Sequence, residues 1–278
     1  MTTLTESRRS THIPDTGWRL TPARVTRSEW IKLTTLRSTW WSVGIVALLS
    51  IGMSVLIVVS MNAFADQSGI EGGVLLSGTG IVLMPIQFTM LLAGALGAMV
   101  ATGEYSTGMI RSTLTAEPRR GVVLIAKAVS VAALLALASA LIFAIASAIV
   151  TPFAADVAPL DWSDAATTLV PMLYGVLSMA CFALMGLGIG FILRNGPGAI
   201  STTIGILFVL PIALQLLTLT GMEWTQNLAN YLPSTAAEAL VIPGMTSGLD
   251  TVPALLTLGM WTLLPLLGGW AVLRLRDA

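Results

Sequence analysis

Apolar side chains dominate six stretches of the chain, residues 42–62, 75–102, 122–150, 169–193, 199–219 and 254–273, and polar residues gather between them. Each stretch is near the roughly 20 residues that a helix needs to cross a hydrocarbon core. In lipid the backbone must satisfy its own hydrogen bonds, so these runs predict six transmembrane helices. Ahead of them, Thr21-Pro22 has the form of an N-cap followed by proline in the first helical turn. Helical spacing over residues 21–41 puts Val25, Trp30, Leu33, Leu36 and Trp40 on one broad face and Arg24, Arg27 and Lys32 on the other. Glu29 and Arg37 interrupt the apolar side. A basic helix with tryptophans suits the membrane interface, so residues 21–41 are predicted to form an interfacial connecting helix. Glu29 is left either to pair with Lys32, one turn away, or to meet a protein partner. Residues 1–20, polar and rich in Ser, Thr and Arg, are expected to be a disordered cytoplasmic tail.

Composition agrees with the pattern. Hydrophobic residues make up 55% and charged residues 10% of the 278, with a mean hydropathy of +0.86. That leaves too little polar surface to cover a water-soluble globule. The expected fold is therefore all-α: one polytopic membrane domain of six helices over 42–278, preceded by the interfacial helix. The one cysteine, Cys181, lies within an apolar run and the one histidine, His12, lies in the tail. An internal disulfide, a cysteine metal site and histidine-based acid–base chemistry are thereby disfavoured. A formal net charge of zero gives no reason to expect a nucleic-acid partner.

Charge placement is less even than the total. Arg8, Arg9, Arg19, Arg24, Arg27, Lys32 and Arg37 precede the first run, Arg111, Arg119, Arg120 and Lys127 fall between or near the second and third, Arg194 follows the fourth, and Arg274 and Arg276 follow the sixth. The three intervening loops carry only acids: Asp66 and Glu71, then Asp156, Asp161 and Asp164, then Glu223, Glu238 and Asp250. By the positive-inside rule, both ends of the chain are expected in the cytoplasm. The last of the acidic loops, 220–253, is only mildly polar, and part of it is expected to form a short amphipathic or re-entrant helix on the far side.

Residues 103–127 concentrate charge between two apolar runs. Glycines and Pro118 interrupt helix there, while residues 107–115 are suited to a short helix across the membrane surface, giving a cytoplasmic docking elbow at 103–121. Apart from Lys127, no ionisable group lies within the runs, whereas proton- and sodium-coupled carriers usually need intramembrane carboxylates. Nor is there a GxxxxGK[ST] sequence to hydrolyse ATP. Transport by this chain would draw its work from another polypeptide.

The order of these features resembles the permease subunits of type-2 ABC exporters, in particular the short actinobacterial kind. The residues that carry the resemblance are SEWIKLTTLRSTWW in the basic helix, GEYSTGMIRSTLTAEPRRGVVLIAK after the second span, and YLPSTAAEAL before the last. It covers roughly residues 24–275, and the order of its individually degenerate motifs makes the match. The resemblance implies a bacterial plasma-membrane protein working by alternating access. Two permease chains, as a homodimer or heterodimer, would bind two copies of a separate ABC ATPase, which holds ATP and Mg; no cofactor is expected on this chain and no enzymatic activity. It also implies that the elbow carries a coupling helix over 107–114. Glu104 would anchor the second span; a coupling element needs charge-assisted bracing, which Glu104 beside Arg111, Arg119 and Lys127 is placed to supply. Tyr105, Thr107, Gly108 and Arg111 would lie at the coupling site, Arg119 and Arg120 would bind the ATPase or lipid phosphates, and Glu29 and Lys32 would contact the same partner.

Within the spans, Pro85 and Gln87 with Met84 and Met90 are placed to kink the second helix and offer polar and soft apolar groups to a translocation path. The resemblance adds the fifth span, with Phe208, Pro211 and Gln215. A lone intramembrane Gln also commonly bonds a neighbouring helix, and the glycines at 94, 97, 186, 188 and 190 read as close helix contacts. A mostly apolar path implies a hydrophobic or amphipathic substrate such as a drug, antibiotic, peptide or lipid. The alternatives are a self-contained secondary transporter or channel, and an integral membrane enzyme. The enzyme reading has only Asp156, Asp161 and Asp164 as a candidate cluster, with no nucleophile or base near them in the sequence.

Overall fold

The computed structural model describes residues 21–68, 77–155, 158–219, 221, 223–242 and 249–275, all helices and connecting turns with no strand among the described residues. The expected tail at 1–20 and parts of the loop 220–253 lie outside them. Helices α1 (Pro22–Thr35), α2 (Arg37–Ser68), α3 (Gly78–Leu83), α4 (Ile86–Ser106), α5 (Met109–Ala116), α6 (Arg120–Ala154) and α7 (Leu169–Leu193) make the first part of the chain. Helices α8 (Gly196–Ile204), α9 (Leu210–Thr218), α10 (Glu223–Asn230), α11 (Pro233–Val241) and α12 (Thr251–Leu275) complete it. Six of the resulting rods are long and apolar enough to cross a membrane: α2, α3 with α4, α6, α7, α8 with α9, and α12. The chain is a membrane protein with the six spans expected, each within a few residues of its apolar run.

The first helix is capped as its sequence implies, with the Thr21 hydroxyl accepting from the Arg24 amide at 3.4 Å and Pro22 in the first turn. It stops earlier than expected. Leu36 is extended, and residues 37–41 belong to the first span, so the continuous helix predicted over 21–41 is two helices meeting at a corner. The corner has a local cause. The Thr34 and Thr35 hydroxyls turn back onto carbonyls of their own helix, and the Trp40 indole N–H takes the Thr34 carbonyl at 2.8 Å.

The second and fourth spans form the centre of the bundle, with 72% and 61% of their apolar windows buried inside the chain against 17% for the fifth. Small residues permit that contact. A Cβ on Gly97 would stand 1.8 Å from the Ala183 carbonyl oxygen, and one on Gly186 would stand 2.0 Å from that of Gly94. Backbones this close require glycine, as is common where membrane helices gain nothing from hydrophobic burial between them.

Two spans are broken within their length. Pro85, which has no amide hydrogen, separates α3 from α4 in the second span. In the fifth span a π-helical turn, Gly205–Val209, separates α8 from α9 just ahead of Pro211. A π turn accommodates a proline that removes one hydrogen bond from the regular ladder. The expected far-side helix is a pair: α10 folds back on α9, and α11 packs between α12 and α7 with Ala236, Ala237, Leu240 and Val241 buried. The Trp261 indole N–H holds the turn between α10 and α11 through the Tyr231 carbonyl at 2.9 Å.

Candidate functional site

Four charged side chains meet where α1, α4 and α6 converge. Lys32 Nζ donates to Glu29 Oε1 at 2.6 Å and to Glu104 Oε1 at 2.9 Å, and Lys127 Nζ donates to Glu104 Oε1 at 2.9 Å and to Glu29 Oε2. Lys127 and Glu29 are 2% exposed at the side chain and Glu104 4%, while Lys32 reaches the surface at 31%. The arrangement is a nearly dry square of two acids and two bases with no net charge. Its geometry explains the residue that seemed out of place on the apolar face of α1. Glu29 lies beside buried Val25 and Leu33 because that face packs on α6, which presents Lys127. Burial by itself raises the Glu29 carboxyl; the charges and hydrogen bonds of Lys127 and then Lys32 outweigh it and hold the group below the ordinary carboxylate range. For Lys32, burial pulls the ammonium down, and the two glutamates more than reverse that, leaving it raised.

The elbow hangs from this square. Gly108 adopts φ +71°, a left-handed conformation suited to glycine, and turns the end of α4 into α5. Thr107 closes α4 through the Gly103 carbonyl rather than beginning the short helix, which runs Met109–Ala116, two residues later than the expected 107–114. Ile110 is its buried contact, and Lys32 also reaches the Thr113 hydroxyl at 3.5 Å, so α5 is tied to α1. Arg111 stands exposed on α5. Tyr105, on the last turn of α4, meets Phe191 edge-on at 6.2 Å and lies under the Arg194 guanidinium at 5.2 Å.

Several expected roles change. The brace for Glu104 is Lys32 and Lys127; Arg111 and Arg119 are not part of it. Glu29 faces the interior of the chain and is not available as a surface contact. Arg119 forms a fork with its neighbour Glu117 at 2.8 and 2.9 Å, and Arg120 donates to the Leu273 and Arg274 carbonyls, where α12 ends. A cation at those last carbonyls complements the negative end of the helix. Arg120 is thus a strut between the elbow and the last span.

The broken helices face a second region, toward the opposite end of the bundle. An open recess of about 510 Å³ is lined by Gln87, Phe208, Pro211 and Gln215 from the second and fifth spans and by Gln226, Asn230, Ser234 and Glu238 from α10 and α11. A neighbouring recess of about 370 Å³ is more apolar, with Met53, Ile57, Met84, Pro85, Phe88 and Ile242, and shares Gln87 and Glu238 with the first. The Gln87 amide donates to Glu238 Oε1. Of the residues predicted to line a path, Gln87, Phe208 and Gln215 share one recess and Met84 lines the other. Met90 does not join them; it is 3% exposed and packed in the core.

Comparison with protein-family models and with curated proteins finds no match. The site therefore stands on its own geometry. Sequence reasoning missed two of its parts. Glu29 on an apolar face and Lys127 in an apolar run are opposite charges in apolar settings that each need a partner, and the fold makes them each other's. Glu238, expected in a far-side loop, is set against a polar side chain of the second span.

Proposed function

We propose that this chain is the membrane-spanning permease subunit of a type-2 ABC exporter, non-enzymatic itself and driven by a separate ATPase at its basic, cytoplasmic end. The observation that carries the reading is the short exposed helix α5, held by Lys32 to the buried square of Glu29, Lys32, Glu104 and Lys127. A partner pushing on α5 would move α1 and the second and third spans together, because charge-assisted hydrogen bonds join them. Arg111 and Thr107, exposed on the elbow, are its contact residues; Tyr105 and Gly108 shape the turn. The recess between the second and fifth spans belongs to the substrate path, completed by a second permease copy, identical or different, and by plasma-membrane lipid. ATP and Mg reside on the partner.

A second reading, a self-contained secondary transporter, gains from one observation. Glu238 supplies the acid against a span that the apolar runs themselves lack. Purification of the tagged chain from its native membranes, with and without crosslinking, separates the two. A P-loop ATPase that copurifies, and whose hydrolysis is uncoupled by Arg111→Ala, supports the permease. A chain that comes alone and moves solute in liposomes under an ion gradient supports the carrier.

A further inference from the structure

The face of α1 that the sequence marks as apolar is taken up by the third span. Val25 and Leu33 are buried there, on either side of Glu29 and its partner Lys127. The outward face is the other one. Arg24, Arg27, Ser28, Ile31 and Thr35, which helical spacing gathers within about 100° of arc, are all exposed. The corner that follows adds exposed Leu36 and Arg37, and the first turn of the first span adds Trp40 and Trp41, 57% and 74% exposed.

Depth decides what such a surface meets. The third span, α6, has 35 residues and is therefore about 52 Å long, well over the roughly 30 Å of a hydrocarbon core. Past Lys127 it carries no further charge, and Ser130 donates its hydroxyl to the Thr26 carbonyl at 3.3 Å. Ionised groups stop at the edge of the hydrocarbon, so α1 crosses the third span at headgroup level. Trp41 heads an exposed stripe with Ile45 and Leu48, one and two turns further along the first span, and the corner is thus continuous with an apolar surface at membrane depth. Charge points the same way. The segments on the basic side hold all 14 lysines and arginines against six acids, an excess of eight that pairing among them does not remove. Arginine forks suit phosphate oxygens, while tryptophan, isoleucine and leucine suit the glycerol and upper acyl region. A zwitterionic headgroup answers only the apolar half of this surface; an anionic one answers both.

We propose that the outward face of α1 and the corner at Leu36 form a binding surface for anionic phospholipid, with Arg27 and Arg37 holding headgroup phosphates and Trp41 seated at the glycerol level. The surface needs no ATPase, so it is tested apart from the permease reading. The full chain in dodecyl maltoside is titrated against phosphatidylglycerol carrying a fluorophore on one acyl chain, with phosphatidylcholine of the same chains as reference, and binding is followed by anisotropy. Phosphatidylglycerol is expected to bind about twentyfold more tightly, the scale of two juxtamembrane arginines. Arg27→Gln and Arg37→Gln should each weaken it about fivefold and leave phosphatidylcholine unchanged, and the double variant should lose the preference. Arg111→Gln, which removes an exposed base from α5, is the control and should keep it. Should the double variant fail to give a monodisperse protein, Ser28→Glu puts an acid beside Arg27 on the same face and should bring a similar loss. Equal affinity for the two lipids, or a loss in Arg111→Gln as large as in Arg27→Gln, overturns the proposal. So does a double variant that keeps the lipid preference and no longer copurifies with an ATPase, because the face then belongs to the protein partner. A wild-type chain that selects phosphatidylglycerol yet never copurifies with an ATPase upholds the surface and sinks the permease reading.

Discussion

The two ends of the bundle solve opposite problems. At the basic end, two glutamates and two lysines from three helices pair with one another, three of the four buried and Lys32 reaching the surface. At the acidic end, polar side chains line open recesses beside helices broken at Pro85 and at the π turn before Pro211. A buried charge square is rigid because every displacement exposes an unpaired charge in a medium that penalises it. A wall with interrupted helix has fewer backbone bonds to break and can change shape at lower cost. The difference separates a joint that links three helices from a wall whose helices are interrupted.

That contrast can be attacked from the rigid end first. Lys127→Met removes one corner of the square and leaves two glutamates facing a single lysine, at an expected loss of about 3–5 kcal/mol. It should be read as a large fall in the melting temperature of the detergent-solubilised protein. The double variant Glu29→Gln with Lys127→Met restores charge balance and should recover part of the loss; strict additivity of the two single changes would show that the square is not a unit.

A smaller effect is expected in the shared core. Gly97→Ala sets a methyl group against the Ala183 backbone, and the second and fourth spans must move apart, at about 1–3 kcal/mol. Gly103→Ala, where an added Cβ meets nothing within 4 Å, is the control and should lose far less.

Acid sharpens the comparison further. Because Glu29 is held below the ordinary carboxylate range, its contribution is present above that range and is lost as pH falls through the depressed folded value. Lys32, raised by the glutamates, keeps its contribution up to its ordinary value of roughly 10.4 and loses it only as pH rises through a higher folded value. Wild type should therefore be more stable than Glu29→Gln at neutral pH, with the gap closing on acidification. A melting series from about pH 8 to about pH 3 measures it. At the small end of the scale, Arg111→Ala removes a side chain that stands exposed on α5 and should leave the melting temperature unchanged.

How much of this could be read from the sequence follows from the range of the interactions. Span count, span limits and the short helix after the second span are local consequences of apolar length, glycine and proline, and the chain displays them openly. The glycine contact of the second and fourth spans was legible as a kind of contact, because small residues in apolar helices have few other uses. The square was half legible: Glu29 and Lys32 are one turn apart and Lys127 was among the expected braces of Glu104, but only the fold brings the two pairs together. The corner at Leu36 was hidden because a tryptophan four residues on decides it. A helix within 220–253 was legible, but the packing of α11 was not, because mild polarity describes both a solvated segment and one folded in against two spans.

The most direct test of the central claim uses the single native cysteine to advantage. With Cys181→Ser as background, Arg111→Cys on the elbow and Gln215→Cys in the recess are each labelled with a photo-crosslinker in native membranes. The account predicts that the label at 111 captures a P-loop ATPase and the label at 215 does not. An ATPase captured at 215, or no nucleotide-binding chain captured at 111, would contradict it.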